Sequence, residues 1–354
     1  MLATPPLRYP AATDLDLPTP TVQPAMEPGE AQCALIFGDN LAALRAMSSA
    51  APSCVTLAYL DPPFLTGKQH LRVTRKRDPG TGEYSREKSV AFDDRWGGLQ
   101  EYLASLKPRL EQVRTLLTNN GSVVVHVDSK TSHYVKVMCD EIFGYENFAS
   151  EIIWRYRRWP SKTPNFQRVH DVLLRYVKDA GTKPRFNQLY EPLAASTQAT
   201  WGDRKQRAVI GKGGRRTRSS KTSEATPGTP MGDVWEISII APVAKERTGY
   251  PTQKPRALLQ RLITSLSNPG DLVLDPYMGS GTTVEVARRQ NRRVIGIDVG
   301  TDALDVTQTR LSGAKIHYTR HQVQEAPASH KCKMEFQTRK AEPTSRVVNR
   351  RDAS

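Results

Sequence analysis

Four consecutive residues, Asp61, Pro62, Pro63 and Phe64, close an apolar run and carry the first chemistry in the sequence. An exocyclic amine on a nucleobase is a poor nucleophile because its lone pair is delocalised into the ring. A carboxylate and a carbonyl that each accept one of its N–H groups draw the nitrogen toward sp³ and free that pair. Asp61 can be the first acceptor. The Pro62 carbonyl, held in a fixed direction by the second proline, can be the other. Phe64 offers a face on which a base turned out of a duplex can stack.

A second cluster lies far downstream. Leu272 to Leu274 reads as a short strand running into Asp275, "PYMGSG" as a turn, Thr282 to Arg289 as a helix, and Arg293 to Ile297 as a strand ending in Asp298. A βαβ unit with glycines in its first turn lets backbone approach a nucleotide cofactor. An acid at the end of the next strand can grip ribose hydroxyls. Gly279 and Gly281 are present but the third glycine of GxGxxG is not, which argues against a pyrophosphate-bearing dinucleotide. Ligands bind at the carboxyl ends of parallel strands, so on one sheet Asp61 and Asp275 face one crevice. An activated amine there attacks a methyl sulfonium in line, without a covalent enzyme intermediate.

The elements that must position these residues alternate between strand-like and helix-like, which predicts an α/β sheet covered on both faces. Strands are expected at Ala34 to Phe37, Cys54 to Leu60, Ser122 to Val127, Ile152 to Tyr156 and Val172 to Val177. Helices are expected from Leu41, over Leu99 to Thr118 and over Ser132 to Phe143. Residues 1–31 hold seven prolines and read as a disordered leader, and 321–354 as a disordered basic tail. The domain reading is therefore a catalytic half at 32–178, a basic insert at 179–247 and a cofactor-binding half at 248–320. The chain of 354 residues carries a formal charge of +15 and a pI near 9.7, which favours a polyanionic partner such as nucleic acid. Neither a membrane span nor a signal peptide is legible, and the four cysteines form no CxxC pair, so no metal site or disulfide framework is expected. This composition reads as a soluble protein of a reducing compartment.

Together the motifs resemble the amino-methylating DNA methyltransferases that use S-adenosylmethionine. The order, with the catalytic motif ahead of the cofactor motif, is that of their β class. Asp61-Pro62-Pro63-Phe64 matches the family's catalytic [DNS]-P-P-[YFW]. Asp275-Pro276-Tyr277-Met278-Gly279-Ser280-Gly281-Thr282-Thr283 resembles its DPFxGSGTT loop, with Tyr for Phe. Tyr250-Pro251-Thr252-Gln253-Lys254-Pro255 resembles HPTQKP, with Tyr for His, so Thr252 and Lys254 are expected at the cofactor's methionine end. Gly38-Asp39-Asn40-Leu41 resembles the GDxL near the adenine, and Asp298 stands where the family has its ribose acid. "HDVLLRYVK", from His170, resembles a further strand of the core. The resemblance implies a Rossmann-like methyltransferase sheet with permuted motif order and an inserted target-recognition region. It also implies S-adenosylmethionine as cofactor, double-stranded DNA as partner, and a prokaryotic cytoplasmic location. Because Asp in the first motif position goes with adenine N6 and Ser more often with cytosine N4, Asp61 implies an N6-adenine enzyme.

The insert falls where such enzymes read their target. Trp201, Arg204, Lys205, Arg207, Lys212, Arg215, Arg216 and Arg218 are its candidates for stacking, phosphate neutralisation and guanine edges. The stretch from Leu65 to Arg95 reads as a long structureless loop that closes over the flipped base, with Lys68 and Arg72 nearest the phosphates. Arg157, Arg158 and Trp159 interleave charge and ring after a strand, which suits single-strand contact. His126 and Asp128 end a strand without a third ligand and are assigned no chemistry. The alternatives are an N4-cytosine enzyme of the same mechanism, a catalytically silent nucleic-acid-binding module, and a modification subunit that needs a partner. A homodimer and a cognate restriction endonuclease are the further partners the family suggests. Glutamine-methylating enzymes also use a Pro-Pro-aromatic motif, but they place the cofactor motif first and begin with Asn.

Overall fold

The computed structural model describes residues 32–78, 80–160, 162, 164–202, 208–210, 213–218 and 225–323. The leader and most of the tail lie outside these residues, as do Arg204, Lys205, Arg207 and Lys212. In chain order the first half runs β1 (Cys33–Phe37), α1 (Asn40–Ala50), β2 (Val55–Leu60), β3 (Gln69–Arg77), β4 (Tyr84–Asp93), α2 (Leu99–Leu116), β5 (Leu117–Val127), α3 (Ser132–Phe143), β6 (Phe148–Arg155) and β7 (His170–Val177). The short elements β8 (Tyr190–Glu191), α4 (Ala195–Trp201), β9 (Ala208–Ile210), β10 (Arg216–Arg218) and β11 (Thr229–Pro230) follow, then β12 (Val234–Glu236). The last part is α5 (Arg256–Leu266), β13 (Leu272–Asp275), α6 (Thr282–Arg289), β14 (Arg293–Asp298), α7 (Thr301–Gly313) and β15 (Thr319–Gln322).

Nine strands form one sheet in the order β12-β6-β7-β5-β2-β13-β14-β1-β15. Every pairing is parallel except those of β7, which runs against both β5 and β6. The strands alternate faces with the period of two that a pleat imposes. In β2, Ala58 and Leu60 join a core with α1, α2 and α3, while Leu57 and Tyr59 join a core with α5, α6 and α7. Both faces are thus covered, which is why β2 reads as a continuous apolar run rather than an alternating one. Truncating a fully buried core leucine such as Leu57 to alanine costs about 2–5 kcal/mol.

The helices of the second face are tied by charge as well as packing. Glu285 of α6, 1 % exposed, accepts from Arg256, Arg289 and Arg310, and so joins α5 to α7. Burial opposes its ionisation, but those three guanidinium groups outweigh it and hold its pKa below the usual carboxylate range.

The stretch from Leu65 to Arg95 is not a structureless loop. Its greater part is the antiparallel hairpin β3–β4, paired from Gln69↔Asp93 to Arg77↔Tyr84. The turn signal was present: Asp78 accepts from the N–H groups of Gly80 and Thr81, and Gly82 takes a positive φ. The strands were hidden because the hairpin's faces are largely polar and exposed, so no apolar alternation marks them. The helix expected over Leu99 to Thr118 ends at Leu116, and β5 begins at Leu117 and contains "NNGS". A side chain on Gly121 would meet the Thr56 and Val55 carbonyl oxygens at 3.0 Å, so glycine lets β5 approach β2 closely where β5 carries the extra residues of a register shift.

Two further differences concern the insert and the tail. β12 lies within 179–247 yet forms an edge of the main sheet, and Asn187 donates to carbonyls at the end of α5. β15 carries the sheet through Gln322, so ordered structure enters the stretch read as tail.

Candidate active site

The parallel pairings bring the carboxyl ends of β2, β13, β14 and β1 to one edge, and a cavity of about 350 Å³ opens there. It is lined by all four residues from Asp61 to Phe64, by Thr252 and Lys254, and by Asp275, Pro276, Tyr277, Gly279, Ser280 and Thr282. Asp39 and Asp298 complete it. The three motif regions, separated by some two hundred residues in the chain, therefore share one space.

The turn after β13 is shaped by close approach. Gly281 begins α6 at φ +70, and a Cβ there would meet the Thr307 side chain of α7 at 2.5–2.9 Å. The Gly279 N–H donates to Asp298 at 2.9 Å, which fixes the loop to the end of β14. Tyr250, in the place of the family's His, is buried and packs against Gly279. Asp275 is 2 % exposed and accepts from the Tyr277 N–H at 3.0 Å. Burial pushes its carboxyl up to about 7, helped by the neighbouring Asp61 and Asp298 charges and opposed by hydrogen bonds from Thr283 and Tyr277. Asp298 is raised in the same direction by desolvation, against the N–H groups of Gly300 and Gly279.

Asp39 caps α1 by accepting from the Ala42 N–H at 2.9 Å and also pairs with Arg109 at 3.0 Å. Arg109 further contacts Asn40, whose amide donates to the Pro276 carbonyl at 2.8 Å. This bridge between α1, α2 and the β13 turn was not read from the sequence, where nothing marks Arg109 among the other cations of α2.

Around Asp61 the structure supplies partners that sequence reasoning missed. Lys254 donates to both carboxylate oxygens, at 2.7 and 2.6 Å. Behind the carboxylate lies His126, fully buried, with Nδ1 at 3.8 Å from Asp61 and 2.8 Å from the Tyr59 hydroxyl. Its Nε2 stands 3.3 Å from Asp171, which also accepts from Tyr156 at 3.0 Å. A neutral imidazole that donates from Nε2 to Asp171 and accepts the Tyr59 proton at Nδ1 satisfies all three groups. His126 was assigned no chemistry because no third ligand stood near it in sequence; its partners sit on β2 and β7 and just after β2. Trp154 and Tyr156 are core residues flanking it.

The chain after Phe64 is held by a second unread residue. Asp94, 1 % exposed, accepts from the Phe64, Leu65 and Thr66 N–H groups, the Thr66 hydroxyl and the Trp96 indole. Leu65 there adopts φ +55, a left-handed conformation that this carboxylate over-determines.

The basic candidates divide. Lys68 is exposed beside the motif, but Arg72 donates to Asp302 of α7 at 3.1 Å and is thereby committed to holding the hairpin down. Arg157 and Arg158 are exposed after β6, which ends at the same edge as β2; the Arg158 guanidinium lies 5.2 Å above the Tyr156 ring. Trp159 and Phe166 in the same connection are 89 % and 99 % exposed. Trp201 closes α4, Arg215 is exposed, and Arg216 and Arg218 lie on β10, paired with β9. Among the described residues no group of three potential ligands could hold a metal, and no helix is long and apolar enough to cross a membrane.

Known proteins resemble the chain over the same region. DNA adenine methyltransferase YhdJ of Escherichia coli K12 is 29 % identical over 286 residues, covering 80 % of this chain and 84 % of its own. Type II methyltransferase M.HpaI of Haemophilus parainfluenzae is 29 % identical over 271 residues, covering 76 % and 72 %. Among solved structures, the M1.HpyAVI–SAM complex aligns over 78 % of this chain and 99 % of its own, at 18 % identity and a TM-score of 0.47. The DNA methylase family model, which spans N6 and N4 amino-methyltransferases, matches residues 55–309. With both motif strands, the glycine turn and the acid of β14 inside that match, the chain belongs to the amino-methylating DNA methyltransferase family.

Proposed function

We propose that the protein is a site-specific DNA methyltransferase that transfers a methyl group from S-adenosylmethionine to the exocyclic N6 of adenine in duplex DNA. The observation that carries this reading is Asp61 at the head of the Pro-Pro-Phe motif, in the cavity that also holds the glycine turn and Asp298. The cavity fits the cofactor. Gly279 keeps backbone bare where a side chain would crowd Tyr250 at 3.2 Å, and Asp298 ends the next strand as a ribose ligand would. The turn from Asp275 to Thr282 would hold the methionine and ribose portions, with Asp39 toward the adenine and Thr252 closing the methionine end.

When bound, S-adenosylmethionine supplies an electrophilic methyl group on a sulfonium. Asp61 accepts one N–H of the flipped adenine's amine and the Pro62 carbonyl accepts the other, so the nitrogen presents its lone pair in line. Phe64 stacks on the ring and fixes the angle of approach. Once the methyl is transferred and the C–S pair is left on sulfur, the Asp61 carboxylate would pass the surplus amine proton to water.

Lys68 beside the motif and Arg157 and Arg158 after β6, with Trp201, Arg204, Lys205, Arg207, Arg215 and Arg216 of the 179–247 region, supply the phosphate and base contacts of this reading. Relatives that are bacterial enzymes support action on DNA in the bacterial cytoplasm. The test is nucleoside analysis after incubation of unmethylated duplex DNA with methyl-labelled S-adenosylmethionine. Label in N6-methyladenine that disappears in Asp61→Ala is the expected result. Label in N4-methylcytosine would overturn the choice of base but keep the mechanism, and no label would favour a silent binding module or a subunit awaiting its partner.

A further inference from the structure

The ion pair on Asp61 ties the Tyr250–Pro255 turn to the Asp61–Phe64 motif. Lys254 reaches the cavity from the Tyr250–Pro255 turn, and its ammonium is held by three groups: both oxygens of Asp61, the Thr252 carbonyl at 3.4 Å, and the Phe64 ring with its centroid 4.9 Å away. Lys254 is 9 % exposed, so this is a desolvated contact rather than a surface pair. Thr252 takes φ +59, a conformation costly for a β-branched residue, and the turn that carries it delivers the Lys254 side chain to Asp61.

The surroundings explain why a cation is needed. Asp61 faces His126 of β5 at 3.8 Å, and its charge acts on Asp275 of β13 and on the hydroxyls of Tyr59 of β2, Tyr102 of α2 and Tyr250. Lys254 is the cation in direct contact with Asp61 among the described residues. The target amine requires a free, correctly turned carboxylate oxygen as its acceptor, and a two-oxygen contact with one ammonium fixes how that carboxylate is turned.

Resting on the methyltransferase reading, we propose that Lys254 is a positioning residue for Asp61 rather than a cofactor ligand: it keeps the carboxylate turned toward the Phe64 face. This departs from the role that its place in the HPTQKP-like segment implies.

The test compares wild type, K254M and K254R. Cofactor affinity is measured by calorimetry, and kcat and DNA KM on unmethylated genomic DNA at saturating cofactor across pH 5–9. K254M is expected to bind S-adenosylmethionine within about threefold of wild type while kcat falls about 10²–10³-fold, the loss typical of a misplaced or miscast transition-state contact. The acidic limb of its kcat profile moves to higher pH, because removing a cation eases protonation of the neighbouring carboxylate. K254R recovers at least tenfold of the loss. In the D61N/K254M double variant the loss is no greater than in D61N, since both act on one step. Cofactor binding weakened tenfold or more with kcat preserved would overturn the assignment, as would an unchanged kcat. If K254M does not fold, K254R and D61N/K254R measured against D61N still decide, because additive losses contradict a shared step. An inactive wild type would count against the methyltransferase reading itself. Calorimetry alone then judges Lys254: unchanged cofactor binding in K254M supports the assignment and a tenfold loss overturns it.

Discussion

Asp61 and Asp275 lie at the carboxyl ends of two adjacent parallel strands, yet their environments are opposite. β13 pairs β2 through Val273↔Leu57 and Leu274↔Ala58, so Asp275 falls level with Tyr59 and Asp61 follows two residues further on. Asp61 keeps 18 % of its side chain exposed and holds a lysine on both oxygens. Asp275 is sealed, is hydrogen-bonded by the Tyr277 N–H and the Thr283 hydroxyl, and is pushed up to about 7 mainly by burial. Neighbouring acids whose surroundings differ this much are suited to different work. One is a charged acceptor at the mouth of the cavity, and the other shapes the loop beneath it.

The sharpest test of that contrast is at Asp61. Asp61→Ala should reduce methyl transfer by about 10³-fold or more in a labelled-methyl assay and leave cofactor affinity within a few fold, because the acceptor acts on the amine and not on the cofactor. Loss of cofactor binding in this variant would break the division of labour.

Asp94 tests whether the Asp61 side depends on a preorganised chain. Asp94→Ala leaves three backbone N–H groups, a hydroxyl and an indole without their acceptor. About 3–5 kcal/mol of stability should be lost, read by denaturant unfolding, since orphaned buried donors each cost about 1–3 kcal/mol.

Asp275 tests the other side, through pH. Its pKa rises on folding from 3.8 to about 7, so between those values the folded state holds a proton that the unfolded state releases. Stability from this group is therefore present below about pH 4 and falls as pH rises to about 7. In the cofactor-free protein, Asp275→Asn should raise stability at pH 8 by about 2–4 kcal/mol and change little at pH 4. A tenfold change in proton affinity is worth about 1.4 kcal/mol. Thermal melts at the two pH values check it, and an equal effect at both would show that burial does not set the difference.

The smallest effects belong to the rim. Arg157→Ala and Arg158→Ala should each weaken DNA binding by about 1 kcal/mol and lower the slope of affinity against salt by about 1. Titrations at several salt concentrations distinguish this from a change in sequence preference.

How much of this was legible in advance follows from the range of the forces involved. β2, β13, α3 and α6 were readable because their residues are buried on both faces or on one stripe, and the hydrophobic pattern reports burial directly. The β3–β4 hairpin escaped because its strands lie on the surface against α7 and carry no such pattern, although Asp78 and Gly82 marked the turn. Asp94, Arg109 and His126 escaped for a different reason: each acts on groups 28 to 70 residues away in sequence, at positions that no local period encodes.

By itself the sequence determined the strand–motif order, the residue types that can accept an amine's protons, and the glycines that let backbone and helix approach closely. These are properties of local stereochemistry and of the side chains themselves. Only the tertiary structure decided that Asp61 meets Lys254, that His126 links Tyr59 to Asp171, and that Asp275 sits without a cation. Ionisation and hydrogen-bond partnership depend on which distant segments the sheet order brings within a few ångströms, and on how much water that packing leaves behind.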